Sequence, residues 1–138
     1  MKYTWLIILF NFYTPTLVGQ TLDLIDKKLN GCLLDSAGEV RRQYCFREAT
    51  KEYDELIVKI EGLLNQNLST GQIKFLNEEQ KSWKDYRKKE LEFYSLVANQ
   101  TKEKGLMTGS IVEAKELEIV KEKAKELDAF AKILTTRK

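Results

Sequence analysis

The chain has 138 residues, 43% apolar and 32% charged, with one proline, seven glycines, two cysteines and no histidine. That length carries one domain and excludes a two-domain enzyme with a cleft between its halves, and the missing histidine excludes His-based acid–base catalysis, Ser-His triads and most zinc sites. Abundant Glu and Lys with almost no proline point to long solvated helices rather than a sandwich or barrel.

The first segment is a basic start, Met1-Lys2, followed by a nearly unbroken apolar run over residues 3–10 and a polar stretch leading to Leu17-Val18-Gly19-Gln20. This is the pattern of a secretory signal peptide over residues 1–19, cleaved after Gly19. A transmembrane anchor needs ~20 apolar residues, and Asn11 and Thr14 interrupt the run at about half that. Gln20 stands where a bacterial lipoprotein would need cysteine, so the expected mature chain, residues 20–138, carries no lipid and no membrane anchor. Lys2 is the only charge removed, which leaves 22 basic against 21 acidic residues and a net charge of about +1. Basic and acidic side chains are interleaved along the chain, so no nucleic-acid partner is expected.

Leu22, Ile25 and Leu29 recur at three- and four-residue spacing and predict a short first helix, ended by Asn30-Gly31. Cys32 and Cys45 follow, with twelve residues between them. In an exported chain their default state is a disulfide, which stabilises by ~3 kcal/mol for a loop of this length. The alternatives are two free buried thiols or a metal site, and the metal site lacks half its ligands.

After Asp35-Ser36-Ala37-Gly38 a long helix is predicted, with Phe46, Ala49, Tyr53, Leu56, Ile57, Ile60, Leu63 and Leu64 on one face and Asn65-Gln66-Asn67 at its end. Ser69-Thr70-Gly71-Gln72 has the form of a capping box and opens a second long helix. The seam of that helix reads Ile73, Leu76, Gln80, Trp83, Arg87, Glu90, Tyr94 and Val97, so three polar groups interrupt an apolar stripe. A third long helix opens at Ser110, with a second capping box to Glu113, and carries Leu117, Val120, Ala124, Leu127, Ala131 and Leu134. Arg137-Lys138 reads as a solvated helix end.

The expected fold is therefore all-α: an antiparallel bundle of three long helices plus a short N-terminal helix. With the last two helices paired around the loop before Ser110, Trp83 is expected to meet Leu127, Phe130 and Ala131. With the first two long helices antiparallel, Arg87 is expected to bridge Asp54 and Glu90. Three readings of the polar seam remain open: ion pairing along a helix turn, a buried network that sets helix register, and catalysis. The last needs a carboxylate pair around a cleft, which a narrow bundle does not offer.

The run Gln80-Lys81-Ser82-Trp83-Lys84-Asp85-Tyr86-Arg87 resembles the Gln-x-x-Trp-x-x-Tyr-Arg segment of the LprI-type lysozyme-inhibitor family of small exported bacterial helical domains. Cys32 and Cys45 with the following Tyr53-Asp54 resemble that family's cysteine pair and aromatic-Asp step. Gly109-Ser110 resembles the Gly-Ser that opens its last helix. The second cysteine pair of many relatives is absent, with Glu90 near one of its positions, and Ile57-Val58 stands where a Leu-Asn pair is common.

The resemblance implies a non-enzymatic, periplasmic or secreted protein without cofactor or metal. Its partner would be lysozyme or another cell-wall-degrading enzyme. An envelope structural or interaction module with another exported partner is the alternative. Gly105, Leu106 and Met107, in the stretch between Lys102 and Gly109, form a candidate binding loop that either inserts into a cleft or caps the bundle end. Two Asn-x-Ser/Thr sequons, at Asn67 and Asn99, would matter only in a eukaryotic secretory pathway.

Overall fold

The computed structural model describes residues 16–103 and 110–136. Within them lie four helices: α1 (Thr16–Leu34), α2 (Glu39–Asn67), α3 (Thr70–Glu103) and α4 (Ile111–Thr136). Most of the expected signal peptide, the loop residues Gly105, Leu106, Met107 and Gly109, and the terminal Arg137-Lys138 lie outside the described residues. The predicted all-α bundle is found, with α1 the shortest helix.

Helix α1 runs past Asn30-Gly31, where an end was expected, to Leu34. Glycine inside a helix costs about 1 kcal/mol, but the extra turn carries Cys32 to Cys45, where the two are joined by a disulfide with Cα atoms 5.8 Å apart. The Ser36 hydroxyl then donates to the Leu33 carbonyl at 2.7 Å and closes the helix. Gly38 precedes α2 with φ at 103°, a conformation that favours glycine and lets the chain reverse from α1 into α2.

Helix α2 buries Cys45, Ala49, Tyr53, Leu56, Ile57, Ile60 and Leu64, close to the face read from its periodicity. Its C-terminus passes directly into the first predicted capping box. The Ser69 amide donates to Gln72 Oε1 at 2.9 Å, and the Gln72 amide donates back to the Ser69 hydroxyl at 3.4 Å. The second box does not form in this way. The Ser110 amide donates to Glu39 Oε1 at the start of α2, while Glu113 Oε2 is buried without a partner. A carboxylate from another helix has replaced the local one, and it ties the beginnings of α2 and α4 together.

Consecutive helices run antiparallel, but the most extensive packing is between α2 and α4, which run in the same direction. Helix α1 lies chiefly on α2, and α3 lies chiefly on α4. The core follows from this arrangement. It consists of Ile25 from α1, the α2 face, and Leu117, Val120, Ala124, Leu127 and Ala131 from α4. Helix α3, the longest element, places no apolar side chain fully inside; Leu76 and Trp83 only pack against the margin.

Candidate functional site

The polar seam of α3 faces the gap between α2 and α4. Arg87 sits in that gap, only 18% exposed at its side chain. Its Nη1 and Nη2 donate to the two carboxylate oxygens of Asp54 at 2.8 and 2.9 Å, and Nη2 also donates to Glu116 Oε1 at 2.6 Å. Burial alone would lower the Arg87 pKa, but the bonds to Asp54 and Glu116 outweigh it and raise the value. The planar guanidinium can serve two carboxylates at once, which an ammonium cannot do with the same geometry.

The expected pairing with Asp54 is therefore present, whereas the second carboxylate is Glu116 of α4 and not Glu90. Glu90 lies one turn along the same helix, and pairing with it would hold the guanidinium on the flank of α3. Reaching between α2 and α4 satisfies it from both neighbours instead.

Trp83 is half-buried, with the Arg87 guanidinium 5.7 Å and Lys123 Nζ 5.9 Å from its ring centroid. Lys123 is almost wholly buried and donates to Glu79 at 2.5 Å and Glu126 at 3.2 Å. The surroundings of Trp83 thus include Ile119 and Lys123, one to three turns earlier in α4 than the expected Leu127, Phe130 and Ala131. Pairing the helices symmetrically about the connecting loop placed α4 too far along. The Arg87–Glu116 and Lys123–Glu79 pairs set the actual register. Gln80 is buried beside this group; its Nε2 donates to Glu79 at 3.0 Å, and its Oε1 has no partner.

Sequence reasoning missed a second polar knot on the opposite side of the core. Asp26 of α1 accepts from the Tyr53 hydroxyl at 2.6 Å and from Lys121 Nζ at 2.6 and 2.7 Å. Burial tends to raise the Asp26 carboxyl, but the bonds from Lys121 and Tyr53 prevail and hold it below the ordinary value. Burial, followed by the bond to Asp26, pushes the Tyr53 hydroxyl well up. Tyr53 was legible as a core position; nothing local marks Asp26 or Lys121 as its partners.

The residues of the expected motif are divided by this geometry. Asp54 and Arg87 join α2, α3 and α4, Gln80 is buried and Trp83 half-buried beside them, and Ser110 joins α4 to α2. Tyr86 points outward and is 50% exposed. Beside it runs a groove between α3 and α4. At one end Phe75, Leu76, Leu127 and Phe130 line a recess of about 320 Å³, with Phe75 72% and Phe130 52% exposed. At the other, Trp83, Tyr86 and Ile119 line a recess of about 380 Å³. Glu126 belongs to both.

Arg87 of the seam is already paired with Asp54 of α2 and Glu116 of α4, so its chemistry is that of a fastener. The groove offers aromatic faces and carboxylates for contact. Among the described residues no group of three His, Cys, Asp or Glu side chains is placed to hold a metal ion, and no helix is long and apolar enough to cross a membrane.

No curated protein and no solved structure gives a significant match to the chain. The family model described as lysozyme inhibitor LprI matches residues 32–127, from the first cysteine to the middle of α4. That span covers well over half of the sequence and contains Asp54, Gln80, Trp83, Tyr86, Arg87 and Ser110, and on this ground the chain belongs to the LprI lysozyme-inhibitor family.

Proposed function

We propose that this is an exported bacterial protein that binds lysozyme, or another cell-wall-degrading enzyme, and blocks it without performing catalysis. The family match over residues 32–127 carries this reading. The disulfide between Cys32 and Cys45 supports export, because such bonds persist in oxidising compartments. Residues 1–19 act as the signal peptide in this reading, and residues 20–138 form the working domain. Binding is passive: a rigid bundle, fastened by Arg87 and the disulfide, presents a surface to the enzyme and gains affinity by losing little freedom on docking.

The test is a lysis assay. Suspended bacterial cell walls are cleared by lysozyme with and without the oxidised protein spanning residues 20–138, and complex formation is followed by calorimetry. Clearing should slow in proportion to added protein until the two are equimolar. Unchanged clearing at tenfold excess, together with no heat of binding, would overturn the reading in favour of an envelope interaction module.

A further inference from the structure

Exposed aromatic side chains border both recesses of the groove between α3 and α4, and the distribution of charge around them indicates what covers them. We infer that the groove between α3 and α4 is the docking surface for the target enzyme, and that its occupant is a basic segment of that enzyme with an apolar side chain at its tip. This inference rests on the proposed function and deepens it by naming the surface and the chemistry of the partner.

Three observations carry it. First, Phe75, Phe130 and Tyr86 are large, at least half exposed, and border recesses rather than lying singly on a convex face. Exposed aromatics around a pocket are the usual anchors of a protein interface. Leu76 and Leu127 supply an apolar floor under Phe75 and Phe130, where a partner side chain loses its contact with water.

Second, charge is sorted by depth. Glu122 and Glu126 are each 68% exposed at their side chains, whereas Lys123 between them is 2% exposed and held beneath Glu79 and Glu126. Lys115, 18% exposed, likewise lies inward of its partner Glu118, which is 64% exposed. Lys125, 49% exposed, is paired with Glu122 at 2.9 Å. An incoming protein therefore meets carboxylates first, although the chain as a whole has a formal charge of +2. A basic segment gains both steering and ion pairs there.

Third, the groove is backed by the most firmly connected part of α3. The Arg87 and Lys123 ion pairs and the cations against Trp83 hold its wall in place, so the surface is shaped before the partner arrives.

The experiment measures binding of the oxidised 20–138 protein to a purified cationic lysozyme by calorimetry, with two groove variants and one control. Phe75→Ser with Phe130→Ser removes the exposed anchors and leaves the buried core untouched. Glu122→Lys with Glu126→Lys reverses the rim. Val58→Ser, at an exposed apolar position on α2 away from the groove, is the control. Each variant is first checked for wild-type helicity and thermal unfolding.

The aromatic pair should weaken binding by at least about tenfold. The charge reversal should weaken it and remove most of its dependence on salt, with Val58→Ser unchanged. Wild-type binding that persists within twofold in both groove variants overturns the groove while leaving the proposed function intact. Failure of the wild-type protein to bind overturns the proposed function, and this inference with it. A wild-type dimer that the aromatic pair dissolves shows that a second copy covers the groove, which also overturns the proposal.

Discussion

Arg87 shows how one residue can hold three helices. Its two nitrogens take both oxygens of Asp54 on α2, and one of them also takes Glu116 on α4. Removing it strands two carboxylates, but Asp54 is 40% and Glu116 29% exposed, so water recovers part of the loss. A double-mutant cycle of Arg87→Met with Asp54→Leu should give a coupling of about 1–3 kcal/mol in urea unfolding, and zero coupling would show that the pair contributes nothing to stability. Asp26 and Tyr53 predict a pH profile. The folded Asp26 carboxyl titrates below its ordinary 3.8, so its contribution is complete above that value and is lost as pH falls through the lower folded one. Tyr53 titrates above its ordinary 10.0 when folded, so its contribution is complete below pH 10 and is lost as pH rises further. Urea midpoints should therefore fall at both extremes, with Asp26→Asn flattening the acid limb and Tyr53→Phe the alkaline limb. Variants that keep the wild-type slopes would disconnect the pair from stability.

At the scale of elements, the contrast is between α3 and the pair α2 and α4. The pair buries nearly all of the core, while α3 is attached through ion pairs, Leu76 and the half-buried Trp83. Amides of α3 should exchange with deuterium faster than those of α2 and α4, through local openings that leave the core intact; equal protection across the three would contradict this hierarchy. Trp83→Ala removes an apolar contact and the ring between two cations. It should cost about 2 kcal/mol, roughly half the loss at a fully buried tryptophan. A Tm equal to wild type would mean that α3 is held without Trp83. The inward face of α3 was legible in the sequence: Gln80 is buried, and Ile73, Leu76, Trp83, Arg87, Glu90 and Tyr94 are half-buried. The position of α4 along that face was misread, because periodicity within one helix does not show how far its neighbour has slid. Phe130, expected against Trp83, is 52% exposed instead.

For the molecule as a whole, the disulfide acts on the unfolded chain. Joining Cys32 to Cys45 closes a loop between α1 and α2, and its loss is worth ~3 kcal/mol by loop entropy. For a domain of this size each kcal/mol moves the melting temperature by about 3–6 °C, so Cys32→Ser with Cys45→Ser should lower Tm by roughly 10–20 °C. An unchanged Tm would imply that the noncovalent contacts of α1, among them Ile25, Asp26 and the Lys28–Glu52 pair, keep it docked without the bond.

The sequence by itself determined the four-helix all-α class, the apolar faces of α2 and α4, the capping box at Ser69 and the cysteine pair, because each is set by spacing or chemistry within a few residues. It also carried the motif residues by which the family is recognised. Tertiary structure decided the rest. That α2 packs mainly on α4, that Glu116 rather than Glu90 completes the Arg87 fork, that Asp26 finds Tyr53 and Lys121, and that Glu39 takes the amide of Ser110 all depend on contacts between residues far apart in the chain. Their register is set by which pairings the packed core permits, and local periodicity contains no information about the distance a neighbouring helix has slid.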